Sequence, residues 1–148
     1  MAHEFIQHLV EDHEKQRRLG EQLRNAKDPK QREKLRQEFY DAVMPHVVGE
    51  EASLFRYMQE AGGKAREEAL KALQEHHVAK LVLRELMDLS LETEVFNPKG
   101  YVLDEMNRHH MDEEEKTHFP MLEGMASRQK LDELFQEYQK AEEKKESG

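Results

Sequence analysis

Apolar residues recur along most of this chain at intervals of three and four, the period of helices with one buried face, and charged residues fill the positions between. Over about Ala2 to Asn25 the residues Ile6, Leu9, His13, Gly20 and Leu23 share a face. Asp28-Pro29-Lys30-Gln31 reads as a helix start, with Asp28 as N-cap, Pro29 in the first turn and Gln31 at the capping-box position. That helix is expected to reach Gly62-Gly63, where glycine can take the positive φ of a C-terminal cap, with Leu35, Phe39, Ala42, His46, Glu50 and Tyr57 facing inward. Pro45 removes one backbone hydrogen bond inside it and should kink it just before His46.

A third helix, Lys64 to about Ser90, presents Ala69, Leu73, His76, Ala79, Leu83 and Leu86. After an irregular connection over Leu91 to Phe96, Asn97-Pro98 supplies the cap and first turn of a fourth, whose stripe is Val102, Leu103, Met106, His110, Glu114 and Met121. Pro120 and Gly124 end or bend it. A last amphipathic piece, about Ser127 to Glu143, turns Leu131, Leu134, Phe135 and Tyr138 inward, and the tail Lys144 to Gly148 should fray. The pattern predicts an all-α bundle.

Polar residues interrupt these apolar faces at regular places. His46-x-x-x-Glu50 and His110-x-x-x-Glu114 each put an imidazole and a carboxylate one helical turn apart on one face. That donor set suits iron, zinc or manganese, and a carboxylate can bridge two ions. His13 precedes His46, and His76 precedes His110, by nearly the same interval, about one long helix and a turn. Four inward histidines and two inward glutamates would therefore meet at one level, which points to two metals. Glu50 is the sharper witness, because a lone carboxylate buried beside Phe39 and Ala42 costs several kcal/mol unless a cation neutralises it.

The neighbours are weighed by angle. A face drawn through His77 would include Lys80 and Arg84, so His76 is the inward member of its pair; His77 and His109 are expected outside or behind the ligands. Glu51 and most of the run Asp112 to Glu115 read as solvated, and His3 and His8 as surface residues. His118 points inward but lies about 12 Å along the axis from His110. It is expected to line a pocket or stand behind the ligands; the alternatives are a further nitrogen ligand and a helix-end histidine facing water.

At 148 residues the chain is expected to form one domain, 1–148, with a core over about 2–125 and the last helix over about 127–143. The formal charge of −9 argues against nucleic acid and anionic membrane surfaces as partners. The lack of cysteine excludes disulfides and thiolate metal sites. No apolar run approaches a membrane span, and the N-terminus lacks a signal layout, so a cytoplasmic protein is expected.

Taken together, Asp12-His13, His46-x-x-x-Glu50-Glu51 with Phe55, Glu75-His76, and His110-x-x-x-Glu114-Glu115 with Phe119-Pro120 resemble the hemerythrin-like, or HHE cation-binding, family across nearly the whole chain. The resemblance implies an antiparallel up-and-down four-helix bundle, here with a short additional C-terminal helix, around a non-haem di-iron centre with an oxo or hydroxo bridge. It implies His13 and His46 on one iron, His76 and His110 on the other, and Glu50 and Glu114 as bridges. Oxygen-carrying hemerythrins have a second histidine one turn after the third-helix ligand, where this chain has Lys80, and an aspartate on the last helix at i+5 where this chain has Glu114 at i+4. The match is to the broader HHE group.

Four nitrogens and two bridges leave coordination positions open, so a small ligand such as dioxygen, nitric oxide or peroxide is the expected partner. The leading reading is a di-iron protein that binds or senses dioxygen or nitric oxide, or handles iron. Other divalent metals fit the same donors. The competing readings are a di-iron redox enzyme that reduces peroxide, nitric oxide or dioxygen, and a structural bundle whose histidines pair with glutamates.

Overall fold

The computed structural model describes residues 2–147, with side chains through Glu143. Its helices are α1 (Glu4–Arg24), α2 (Pro29–Ala52), α3 (Leu54–Ala61), α4 (Gly63–Asp88), α5 (Phe96–Glu113), α6 (Phe119–Met125) and α7 (Arg128–Ser147), with a π-helical turn, Glu114–His118, joining α5 to α6. Stacked end to end, α2 with α3 and α5 with α6 form two of four rods; α1 and α4 are the others. No strand occurs among the described residues. The chain is an all-α bundle of four up-and-down rods with α7 laid across α2 and α1.

Two apolar clusters occupy the two ends of the bundle. One gathers Phe5 and Leu9 of α1, Leu54 and Phe55 of α3, Ala69 and Ala72 of α4, and Phe119 and Leu122 of α6. The other gathers Leu23, Phe39, Val43, Leu83, Leu86, Phe96 and Leu103. Every rod passes from one cluster to the other, α1 and α4 in one sense, α2 and α5 in the opposite sense. His13, His46, His76 and His110 each fall at the crossing between them. Burying each large side chain contributes about 1.5–3 kcal/mol, so the two ends clamp the polar layer at a fixed depth.

Local signals account for most helix ends. Asp28 accepts from the Gln31 backbone N–H at 2.9 Å, while the Gln31 side chain accepts from Lys27 N–H at 3.1 Å, one residue earlier than a standard capping box. Gly62 and Gly63 have φ of 75° and 58°, the left-handed region expected of them. Helical pairing continues past Pro45 to Ala52, and the irregular residue is Ser53 (φ −120°, ψ −94°), whose hydroxyl donates to Gly49 O at 2.7 Å.

Four expectations change. The fourth rod starts at Phe96, without a side-chain cap, and Asn97 instead donates to Ala26 O at 2.8 Å and accepts from Arg32 at 3.2 Å. Val102 is 51% exposed, the inward positions being Leu103, Asp104 and Asn107. His3 is buried: its Nδ1 caps α1 by accepting from Phe5 N–H at 2.9 Å, and its Nε2 bonds Asp132 of α7 at 2.7 Å. The α7 backbone is helical to Ser147 where fraying was expected from Lys144, and Gly148 lies outside the described residues. Among the described residues no helix is long and apolar enough to cross a membrane.

Candidate metal centre

The six residues singled out by spacing, His13, His46, Glu50, His76, His110 and Glu114, converge inside the bundle, and all are buried. One donor atom from each of His13, His46, Glu50 and Glu114 lies within 4.8 Å of the others, and the same holds for Glu50, His76, His110 and Glu114. The two groups share both glutamates. His77 and His109 are exposed.

The imidazole orientations follow a repeated rule. A carboxylate is an acceptor only, so a ring nitrogen facing one must carry hydrogen. His13 Nδ1 donates to Glu115 at 2.6 Å and His76 Nδ1 to Glu51 at 2.9 Å. His46 Nδ1 faces Asp12 at 3.1 Å, and His110 Nδ1 donates to Glu75 at 2.9 Å. Thus the second glutamate of each Glu-Glu pair orients the lone histidine of a neighbouring rod. The acid just before each lone histidine orients the histidine of the following His-x-x-x-Glu. With every Nδ1 engaged outward, every Nε2 faces the two glutamates, as metal-ligating histidines are commonly held.

Nε2 of His76 and of His110 lie 2.9 Å from each other, and the other inward atoms lack hydrogen-bond partners. Nε2 of His13 and of His46, and both carboxylate oxygens of Glu50 and of Glu114, are buried without a hydrogen bond. They approach one another closely, His13 Nε2 to Glu114 at 2.9 Å, His46 Nε2 to Glu50 at 3.2 Å and His110 Nε2 to Glu114 at 3.1 Å, but not at hydrogen-bond angles. Orphaned buried polar atoms cost about 1–3 kcal/mol each, and more when charged. Six of them around one small space fit bound cations, which would accept every inward lone pair at once.

Charge tells the same story. Burial alone would press the His110 imidazole towards neutrality, yet the Glu114 carboxylate outweighs it and raises the pKa to about 10. Burial likewise opposes charging of His46, and Glu50 with Asp12 overcomes it. Glu114, which burial would push up, is held well below its ordinary range by His110 and His13. Glu75 and Glu115 are lowered by their bonds to His110 and His13. The cavity demands positive charge, and metal ions or protons can provide it.

The π-helical turn begins at Glu114, where Phe119 N–H reaches Glu114 O. Consecutive residues there grip one ring: Glu114 lies against His13 Nε2 and Glu115 bonds its Nδ1. Such wide turns often sit at functional places in helices. His118 closes the turn, buried against Phe55 and 3.7 Å from Glu68, outside both donor groups.

Sequence reasoning overlooked Glu51, Glu115 and Tyr138. Glu51 and Glu115, taken for solvated, are about a quarter exposed and point at histidines. The signal was present in the doublets Glu50-Glu51 and Glu114-Glu115, which recur with the histidines. Tyr138 of α7 donates to Asp12 at 2.7 Å, and its hydroxyl lies 2.8 Å from His46 Nδ1. Gly49 makes room for it, since a Cβ there would stand 2.6 Å from the Tyr138 ring. Outside this wall His8, Asp12 and Glu142 form a further, half-buried trio of donors.

No match was found among curated proteins or among solved structures. The family model of the hemerythrin HHE cation-binding domain matches residues 4–122, the span that carries the four rods and every residue of both donor groups. The chain belongs to the hemerythrin HHE cation-binding family.

Proposed function

We propose that this chain is a non-haem di-iron protein that binds or senses dioxygen or nitric oxide, or handles iron. His13 and His46 would be terminal ligands of one iron, His76 and His110 of the other, with Glu50 and Glu114 bridging. The observation that carries the reading is the inward convergence of unpartnered Nε2 and carboxylate atoms behind four engaged Nδ1 atoms. A histidine-glutamate structural core would join those atoms by hydrogen bonds, whereas Nε2 of His13 and of His46 and the four carboxylate oxygens of Glu50 and Glu114 meet at ion-pair distance without one. Iron rather than zinc or manganese rests on the hemerythrin-like resemblance, since the donor set suits all three.

Bound iron would supply open coordination positions and one-electron redox chemistry. The chain's part is to fix the geometry, keep each imidazole in the tautomer that presents Nε2, and surround the centre with apolar side chains that exclude water. Metal analysis of the purified protein, with visible spectra in air and after reduction, tests this. Two irons per chain and a carboxylate-bridged di-iron spectrum are expected, and a metal-free chain that binds no added ferrous ion would overturn it. Rapid mixing of the reduced protein with dioxygen, nitric oxide or peroxide separates binding, seen as a lasting adduct, from the enzyme reading, seen as repeated turnover.

A further inference from the structure

The fold brings a second set of donors together outside the bundle core. His8 and Asp12 stand one turn apart on α1, the spacing that His46 with Glu50 and His110 with Glu114 show at the centre, and Glu142 stands one turn beyond Tyr138 on α7. Where α7 meets α1, one ligand atom from each of His8, Asp12 and Glu142 lies within 4.8 Å of the other two. Aromatic residues of α7 brace the His8 ring at this place, its centroid 5.3 Å from that of Phe135 and, edge on, 5.6 Å from that of Tyr138. Its Nε2 is buried without a hydrogen bond, 3.5 Å from Asp12. The bonds that Asp12 makes with Tyr138 and His46 both end on Oδ2, which leaves Oδ1 for another partner.

We propose that His8, Asp12 and Glu142 form an outer cation site, mononuclear and open to water, for a divalent transition metal of the manganous or ferrous kind. Two carboxylates held this close repel each other unless positive charge stands between them. Among the described residues the cations that reach Asp12 are the imidazoles of His8 and His46, with no lysine or arginine. A metal ion accepts the unpartnered Nε2 lone pair and both carboxylates at once, and one nitrogen with two carboxylate oxygens suits manganese and ferrous iron. All three side chains are half-buried, so water completes the coordination and the ion exchanges with solvent, which the buried inner donors do not permit as freely. Glu142 and the bracing residues Phe135 and Tyr138 lie beyond residues 4–122, the span of the family match, so α7 adds this site to the four rods. It stands independently of the dinuclear reading.

Manganous ion is the probe. Crystals soaked in manganous chloride should give an anomalous scattering peak between His8, Asp12 and Glu142 in the wild type and none there in Glu142→Gln, which keeps the size of the side chain and removes its charge. In solution, iron-loaded and desalted wild-type protein should take up one further manganous ion per chain, read from the loss of the free-ion electron paramagnetic resonance signal. Its affinity should fall by about tenfold or more in Glu142→Gln and in His8→Gln, since even loss of a group that only orients a ligand costs that much. A wild-type crystal without a peak at the trio, or equal uptake by wild type and Glu142→Gln, overturns the proposal. The position of the peak separates the two readings: manganese at the trio with none among the six inward donors refutes the dinuclear centre and leaves the outer site standing.

Discussion

The Nε2 atoms of His76 and His110 lie 2.9 Å apart, while their Nδ1 atoms donate to Glu51 and Glu75. Two lone pairs cannot face each other at that distance, so without a metal one Nε2 must also carry a proton and that ring is an imidazolium. His110 is the better candidate, its pKa raised from 6.5 to about 10 by Glu114 and Glu75 against the effect of burial. A folded-state value above the unfolded one stabilises the protein fully below about pH 6.5. That contribution falls as the pH climbs and is gone once it passes about 10. Metal-stripped protein should therefore melt at progressively lower temperature from pH 7 to pH 10, and the metal-loaded form should show a flatter profile. Parallel thermal scans of both forms check this, and equal slopes would contradict it.

Glu114 belongs to both donor groups, so Glu114→Ala should deplete both cations while the apolar clusters keep most of the helix content. Elemental analysis with far-ultraviolet circular dichroism reads the two separately. Unchanged metal content would refute its role as a bridge.

Glu115→Gln and Glu51→Gln keep the shape of the groups that hold His13 and His76 but weaken the acceptors. Each should lower metal affinity by roughly 10–100-fold without changing the number of sites. Competition against a chelator measures it, and affinities equal to wild type would mean these bonds do not matter for holding the rings.

His77 and His109 are exposed neighbours of the inward histidines. His77→Ala and His109→Ala should leave the metal count per chain unaltered. Loss of a metal in either would show that the wrong member of its pair was assigned.

Gly49→Ala would drive a methyl group to 2.6 Å from the Tyr138 ring. The ring is wedged among Phe5, His46 and Asp12 and has little freedom to yield, so a cost of roughly 1–3 kcal/mol is expected, with α7 loosened. Urea unfolding followed by tyrosine fluorescence gives the number, and stability equal to wild type would argue against close docking of α7.

What the sequence made legible was what periodicity controls. The faces of α1 and α4, the choice of His76 over His77, the Asp28 cap and the Gly62-Gly63 break all follow from residue type and angle. Less visible was anything set by a partner from far along the chain. Glu51 and Glu115 sit on the flank of their helices, where a helical wheel reads water, and the histidines of adjacent rods, together with Lys80 and Arg17, draw them in. The α2 helix is buried on two sides because α7 also packs on it, with Tyr138 against Gly49, and an inward stripe drawn for one face cannot foresee that. The start of the fourth rod misled because Asn97-Pro98 resembles a cap, whereas Asn97 serves to tie the rod to Ala26 and Arg32.

The sharing of Glu50 and Glu114 between the two donor groups couples the fates of the two halves. On the dinuclear reading, whichever ion arrives first must immobilise both bridging side chains, so the second meets donors already in place and avoids the ordering cost. Loading then becomes concerted, half-filled molecules are scarce, and a partly depleted preparation is a mixture of full and empty chains rather than a population of singly occupied ones.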